Sequence, residues 1–203
     1  MKPIVIASTN KGKISEIRAA FQGLPLEIHS LAEFGGIPEV EETGKTFAEN
    51  AVLKATYYAR HTGMACLADD SGLEVDALGG APGVYSARFA GDTATDEDNN
   101  RKLLAALQEV PREQRSARFR CVLAFLDVDG TILTADGTCE GRILEEPRGT
   151  GGFGYDPLFC IPKLGATLSE ISLAEKNAVS HRGQALKIMT EKLAKQFAQE
   201  KEQ

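Results

Sequence analysis

The sequence predicts an α/β fold. Short apolar runs at residues 3–8, 26–31 and 64–68 alternate with helical patterns beginning near residue 11 and at residue 46. The third run ends in two adjacent carboxylates, Asp69 and Asp70, followed by Ser71-Gly72. Apolar runs of this length, bounded by turn residues, read as buried strands. Acids at the carboxyl end of such a strand place chemistry beside a crevice. Adjacent strand residues point to opposite faces, so Asp69 and Asp70 are expected to differ in role. One faces the crevice; the other accepts hydrogen bonds from the following turn or acts as a structural partner. A turn cap alone would explain the same two letters.

Residues 3–8 form the first expected strand. The polar turn from Ser8 to Lys13 leads into Ile14, Ile17, Phe21 and Leu24 at helical spacing. Backbone N–H groups at a helix start favour an anion, and Lys11 and Lys13 add positive charge. Ser8, Thr9 and Asn10 add hydrogen-bonding groups. The segment is not a Walker loop, and an ordinary N-cap with two solvated lysines fits equally well. After the strand at 26–31 comes a loop at 35–45 with Glu39, Glu41 and Glu42. A helix is expected from Thr46 to about Arg60, with Thr46 and Glu49 fitting a capping box. Asn50 and Lys54 share one face of it.

Glycines and Pro82 punctuate residues 79–83. The acids at 92–100 suit the start of a helix expected from Arg101 to Val110. Residues 117–126 and 131–135 flank Asp129-Gly130 as a β-hairpin, and 138–143 extend the β region. A glycine-rich stretch at 149–156 precedes a short strand at 157–162. A final helix is expected from Gln184 to about Gln199, with fraying at 200–203.

Composition narrows the function. The 203 residues suffice for a sizeable core, and 42% are hydrophobic, which excludes disorder. A net charge of −6 argues against nucleic-acid or acidic-membrane partners, though not against a local basic pocket. No apolar run approaches the roughly 20 residues of a membrane helix, and the N-terminal run is too short for a signal peptide. Four scattered cysteines, Cys66, Cys121, Cys139 and Cys160, read as buried thiols in a reducing cytoplasm.

One motif points elsewhere. Phe125 to Leu133 (FLDVDGTIL) looks like the nucleophile motif of haloacid-dehalogenase-type phosphatases, with Asp127 as nucleophile and Asp129 as acid/base. In that family the motif follows the first strand and precedes a long domain. Here little chain follows it, the paired acids lie upstream, and a hairpin explains the letters.

Six blocks resemble one other family in order. They are Ala7 to Lys13; Glu41 to Ala51; Ala68 to Leu73; Gly80 to Gly83 with Ser86 to Phe89; Gly151 to Pro157; and Ser180 to Gly183. Together they resemble the inosine/xanthosine triphosphate pyrophosphatases (Ham1-like). The resemblance implies one two-lobed domain over residues 1–203. Its long, twisted mixed sheet would be flanked by helices, with the active site in the cleft between the lobes. It further implies a cytoplasmic homodimer that requires Mg2+. Its reaction would hydrolyse ITP, dITP and XTP to the monophosphate and pyrophosphate.

For the site, the resemblance implies Asp70 as the base that activates water and as a metal ligand. Glu41 is the first choice for the second ligand, with Glu42 close behind. Ser8, Thr9, Asn10, Lys11, Gly12, Lys13 and Lys54 would hold phosphates, and Ser71 would touch substrate or orient Asp70. Phe153, Gly154, Tyr155, Asp156, Lys176, His181 and Arg182 would recognise the base. Arg88 would form a structural ion pair.

Overall fold

The computed structural model describes residues 1–200. The fraying expected at 200–203 lies, beyond Glu200, outside those residues. Seven strands form one mixed sheet in the order β2-β1-β3-β4-β5-β6-β7, with five α-helices in the described chain. The α/β expectation holds. The described chain falls into two compact units, one of residues 1–70, 121–137 and 182–200, the other of 71–120 and 138–181.

In the first unit, β1 (Lys2–Ile6) pairs in parallel with β2 (Leu26–Ser30) and with the start of β3 (Ala65–Val75). Helix α1 (Lys11–Ala20) starts where predicted because Asn10 caps it, accepting from the Lys13 N–H at 3.1 Å. Helix α2 (Phe47–Thr62) is capped by Thr46 and stopped by Gly63 in the left-handed conformation. The expected capping box is only half formed. Glu49 reaches back to the Lys45 N–H at 2.6 Å rather than to that of Thr46. Helix α5 (His181–Glu200) begins three residues earlier than expected. Its Leu186, Met189 and Leu193 pack with Ile4, Ile6, Ile17, Phe21, Leu67 and Leu123 in one core.

The second unit has its own core, including Leu73, Leu103, Leu107, Phe119, Ile143, Leu158 and Phe159. Helix α3 (Asp96–Ala106) starts five residues before Arg101, because Thr95 and Asp98 form a capping box. Helix α4 (Leu173–Val179) was not expected; Ser172 and Glu175 cap it in the same way. Strands β4 (Ser116–Leu126) and β5 (Ile132–Ile143) continue the sheet, and β5 absorbs the anticipated extension at 138–143. Strands β6 (Phe159–Ile161) and β7 (Ala166–Thr167) complete it, with antiparallel pairing from β5 to β6 to β7.

The phosphatase-like letters are a hairpin turn. The Asp127 N–H donates to the Thr131 carbonyl at 2.9 Å, and Gly130 has φ +90°. Asp127 is buried and held by Lys2 at 2.5 Å and Gln196 at 2.7 Å, while Asp129 accepts from the Thr131 N–H at 2.8 Å. These bonds tie the turn to β1 and α5, so both acids serve the fold. The four cysteines are buried thiols, and burial pushes Cys66 up to about 12 and Cys139 up to about 11. No helix among the described residues is long and apolar enough to cross a membrane.

Candidate active site

Strand β3 does not stop at Ser71-Gly72. It runs on to Val75, so Asp69 and Asp70 lie mid-strand. They still stand at an edge of pairing, because β1 accompanies β3 only as far as Ile6 opposite Leu67. Beyond that point the chain after β1 turns away into the Ser8–Asn10 loop and the start of α1. The two acids are left beside a helix N-terminus, the place in an α/β sheet where a ligand finds unpaired groups.

Strand alternation gives the two acids different neighbours. Asp70 meets α2: Lys54 donates to its Oδ1 at 2.8 Å and Asn50 to its Oδ2 at 3.3 Å. Asp69 meets α1 and α5. Its Oδ2 lies 3.1 Å from the Lys13 ammonium and 3.1 Å from Arg182 Nη2. Arg182 also donates to buried Glu16 at 2.6 Å. The result is a buried chain of alternating charge, Lys13–Asp69–Arg182–Glu16.

Lys54 joins the strand acid to a loop acid. Its ammonium donates to Glu42 Oε1 at 2.9 Å as well as to Asp70. Asn50 repeats the link one turn earlier, accepting the Gly44 N–H at 2.8 Å while donating to Asp70. Tyr58, one turn later, accepts the Val40 N–H at 3.4 Å. The stripe Asn50–Lys54–Tyr58 therefore holds the loop that carries Glu42. Gly44 is required there, because a Cβ would lie 2.5 Å from Asn50 Oδ1 and 2.9 Å from the Asn50 backbone nitrogen. Burial alone would lower the Lys54 ammonium, yet Asp70, Asp69 and Glu42 together raise it, so it stays charged. Burial lifts the Asp70 carboxyl above its ordinary value by more than Lys54 and Lys13 draw it down. A more basic carboxylate is a better proton acceptor.

A cavity of about 270 Å³ opens beside this group within the first unit; Glu42 and Lys54 line it, whereas buried Asp70 does not and meets it only through Lys54. Ser8, Thr9, Asn10, Lys13, Glu39, Glu42, Lys54 and Asp69 form its polar side, and Phe34, Ile37, Val40 and Tyr58 its apolar side. It brings Lys13, Lys54 and a helix start together beside three acids; the two cations and the helix start suit a polyphosphate. The acids also suit a hard cation. Glu42 and Asp70 converge on one ammonium, and no set of three or more His, Cys, Asp or Glu able to hold a metal occurs among the described residues. Two carboxylates completed by substrate oxygens and water is a usual magnesium environment, unlike an all-protein cage.

The second unit holds a separate cluster. Lys176, on α4, donates to Asp156 Oδ2 at 2.7 Å, and its ammonium lies 4.3 Å from the centre of the Phe153 ring. The same carboxylate oxygen accepts the Phe153 N–H at 2.9 Å. A Cβ on Gly152, whose φ is +75°, would collide with that carboxylate. His181 stacks on Phe119, with ring centres 4.7 Å apart and planes 12° apart.

A family model described as the Ham1 family matches residues 4–192. The chain belongs to the Ham1 family. A relative from Geobacter sulfurreducens named dITP/XTP pyrophosphatase is 55% identical over 193 residues, covering 95% of this chain and 97% of the relative. One of the same name from Bacillus licheniformis is 51% identical over 187 residues, covering 92% and 95%. The solved structure of a HAM1 protein from Coxiella burnetii superposes with a TM-score of 0.88 at 45% identity, covering 96% of this chain and all of that one.

Placed on this Ham1-family structure, the expected site residues sort by surroundings. Ser8, Thr9, Asn10, Lys13 and Lys54 meet at the first cavity. Lys11 and Gly12 lie in the first turn of α1 and do not line it; Lys11 is exposed. Of the loop acids, Glu42 rather than Glu41 reaches Lys54, and Glu41 is exposed. Ser71 follows Asp70 along β3, half-buried. Phe153, Gly154, Asp156 and Lys176 lie together in the second unit. Tyr155 differs: it is a buried core residue whose hydroxyl donates to the Ser86 carbonyl at 2.8 Å. Arg182 differs too, since its guanidinium is committed to Asp69 and Glu16 inside the first unit. Arg88 lies over the Tyr85 ring at 5.3 Å.

Two contributors were missed. Asn50 was noted only as a neighbour of Lys54, although an amide four residues before a site lysine on one helix face is a signal. Glu16 carries a weaker one, an acid three residues after Lys13 and next to buried Ile17.

Proposed function

We propose that this chain hydrolyses non-canonical purine nucleoside triphosphates, ITP, dITP and XTP, to the monophosphate and pyrophosphate. The observation that carries the proposal is the Asp70–Lys54–Glu42 bridge, whose Lys54 and Glu42 line a cavity bounded by the start of α1. The names of the relatives at 50–55% identity support the substrate class.

In this reading the first unit handles the phosphates. Lys13, Lys54 and the loop from Ser8 to Asn10 hold the triphosphate. Asp70 takes a proton from water as the water oxygen bonds to the α-phosphorus. The bond from that phosphorus to the bridging oxygen breaks, and the oxygen leaves with pyrophosphate. Asn50 and Lys54 hold Asp70 in place. Asp70 and Glu42 would hold magnesium, which would supply Lewis-acid polarisation of the phosphates and neutralise charge on the leaving group.

The second unit reads the base. Phe153 offers a ring face, and Lys176 and His181 are donors matched to the 6-oxo acceptor of hypoxanthine or xanthine. An adenine 6-amino group would leave those donors unmade bonds, which rejects strongly. We take residues 1–203 to act as one pyrophosphatase domain, which the family match over residues 4–192 supports, and take it to be a cytoplasmic homodimer from the sequence resemblance alone.

Assaying ITP, XTP, GTP and ATP with separate detection of pyrophosphate and orthophosphate tests the proposal. Pyrophosphate from ITP and XTP, well above that from ATP, is the expected result. Release of orthophosphate alone, or equal use of ATP, would overturn it.

A further inference from the structure

The acids before Arg101 suit a helix dipole, but one of them has a specific partner. Asp96 Oδ2 accepts the Gly154 N–H at 2.7 Å, and Asn100 Nδ2 donates to the Gly154 carbonyl at 2.9 Å. Asp96 and Asn100 are four residues apart and share one face of α3. Both backbone polar groups of a single loop residue thus end on one helix, 58 and 54 residues away in sequence. Gly154 has φ +61°, a conformation open chiefly to glycine, so the clamp grips a residue already shaped for a tight turn.

Neither side chain is needed to build α3. The cap is made by Thr95 and Asp98, and Asn99 bonds instead to the Ala90 N–H and the Ala87 carbonyl. Gly154 is covalently next to Phe153, whose ring faces the Lys176 ammonium. The turn is therefore fixed from two sides, by Asp156 at the Phe153 N–H and by α3 at Gly154.

We infer that Asp96 and Asn100 are positioning residues for purine selection, setting the Phe153 ring through the Gly154 backbone. This rests on the assignment of Phe153 and Lys176 to the base. The bonds of Asp96 and Asn100 to Gly154 lie within the base-reading unit, so their loss is expected to weaken base recognition and leave the chemical step intact. A displacement of about 1 Å at a positioning group can cost on the order of 100-fold, so tenfold effects are well within reach.

The test is steady-state kinetics of Asp96→Ala, Asp96→Asn and Asn100→Ala with ITP and GTP, alongside Glu97→Ala as an exposed control on the same helix. The two alanine variants at 96 and 100 are expected to raise KM for ITP about tenfold and to narrow the ITP-over-GTP ratio, with kcat within about twofold of wild type. Asp96→Asn keeps an acceptor oxygen and restores both, and Glu97→Ala changes neither. Amide hydrogen exchange supplies a second readout independent of turnover. It should speed up at residues 152–156 in the alanine variants and stay unchanged across α3 and α4. Unchanged KM and ratio, a fall in kcat at constant KM, failure of Asp96→Asn to rescue, or exchange that rises across the whole second unit would each overturn the inference. If wild type itself releases no pyrophosphate from ITP, the pyrophosphatase reading fails instead.

Discussion

Asp69 and Asp70 are chain neighbours that answer to different cations, because side chains alternate along a strand. Asp69 closes a buried ion cluster with Lys13, Arg182 and Glu16. Removing one member of such a cluster leaves charge buried without compensation. Arg182→Met is therefore expected to lower unfolding stability by about 3–5 kcal/mol in urea titrations, a larger effect than deleting an exposed arginine would have. Lys54 has the opposite profile, holding the two acids to which the proposal assigns the chemistry. Lys54→Met should cut kcat/KM for ITP by about 10²–10³-fold, the scale of losing one preorganised charge-stabilising group. At this scale Lys54 and Asp70, both singled out from the sequence, are brought together at 2.8 Å. The sequence was least legible where a long side chain chooses between partners. Arg182 could have reached a base or a buried acid, and only the position of Glu16 on α1 decides.

At the scale of elements, helix starts follow their caps. The start of α1 was readable because Asn10 and the apolar spacing agree. The starts of α3 and α4 were missed because their first turns are polar, and periodicity is silent there while a capping box is not. The same boxes make a pH prediction. Thr95 bonds lower the Asp98 carboxyl below 3.8, and Ser172 bonds lower Glu175 below 4.5. Groups held low stabilise the fold above those ordinary values, and that contribution is lost as pH falls through the depressed ones. Thermal unfolding from pH 6 down to pH 3 should therefore show a shallower pH slope in Thr95→Ala than in wild type. Loop placement is equally local. Gly44→Ala drives a Cβ into Asn50, moves the loop that carries Glu42, and should raise the magnesium concentration needed for half-maximal turnover. An unchanged magnesium requirement would show that the loop tolerates the methyl group.

Across the whole molecule, a chain of net charge −6 gathers Lys13 and Lys54 with a helix N-terminus at one cavity. Composition excluded broad anion binding and left room for such a local exception, which only the fold could locate. The α/β class was readable from alternating runs. Strand order was not, because periodicity does not say which strands pair; β6 falls inside the strand expected at 157–162, while β7, of two residues, has too little pattern to register. The FLDVDGT letters illustrate the limit: a motif carries chemistry only where its side chains are presented, and Asp127 is buried against Lys2 and Gln196. The central claim is that Asp70 activates the water. Its most direct test is pyrophosphate release from ITP by Asp70→Asn, measured beside Asp127→Asn. Loss of a general base predicts a fall of about 10²–10⁴-fold for Asp70→Asn with ITP binding retained, and near-normal release for Asp127→Asn. Pyrophosphate release by Asp70→Asn at the wild-type rate would contradict the account.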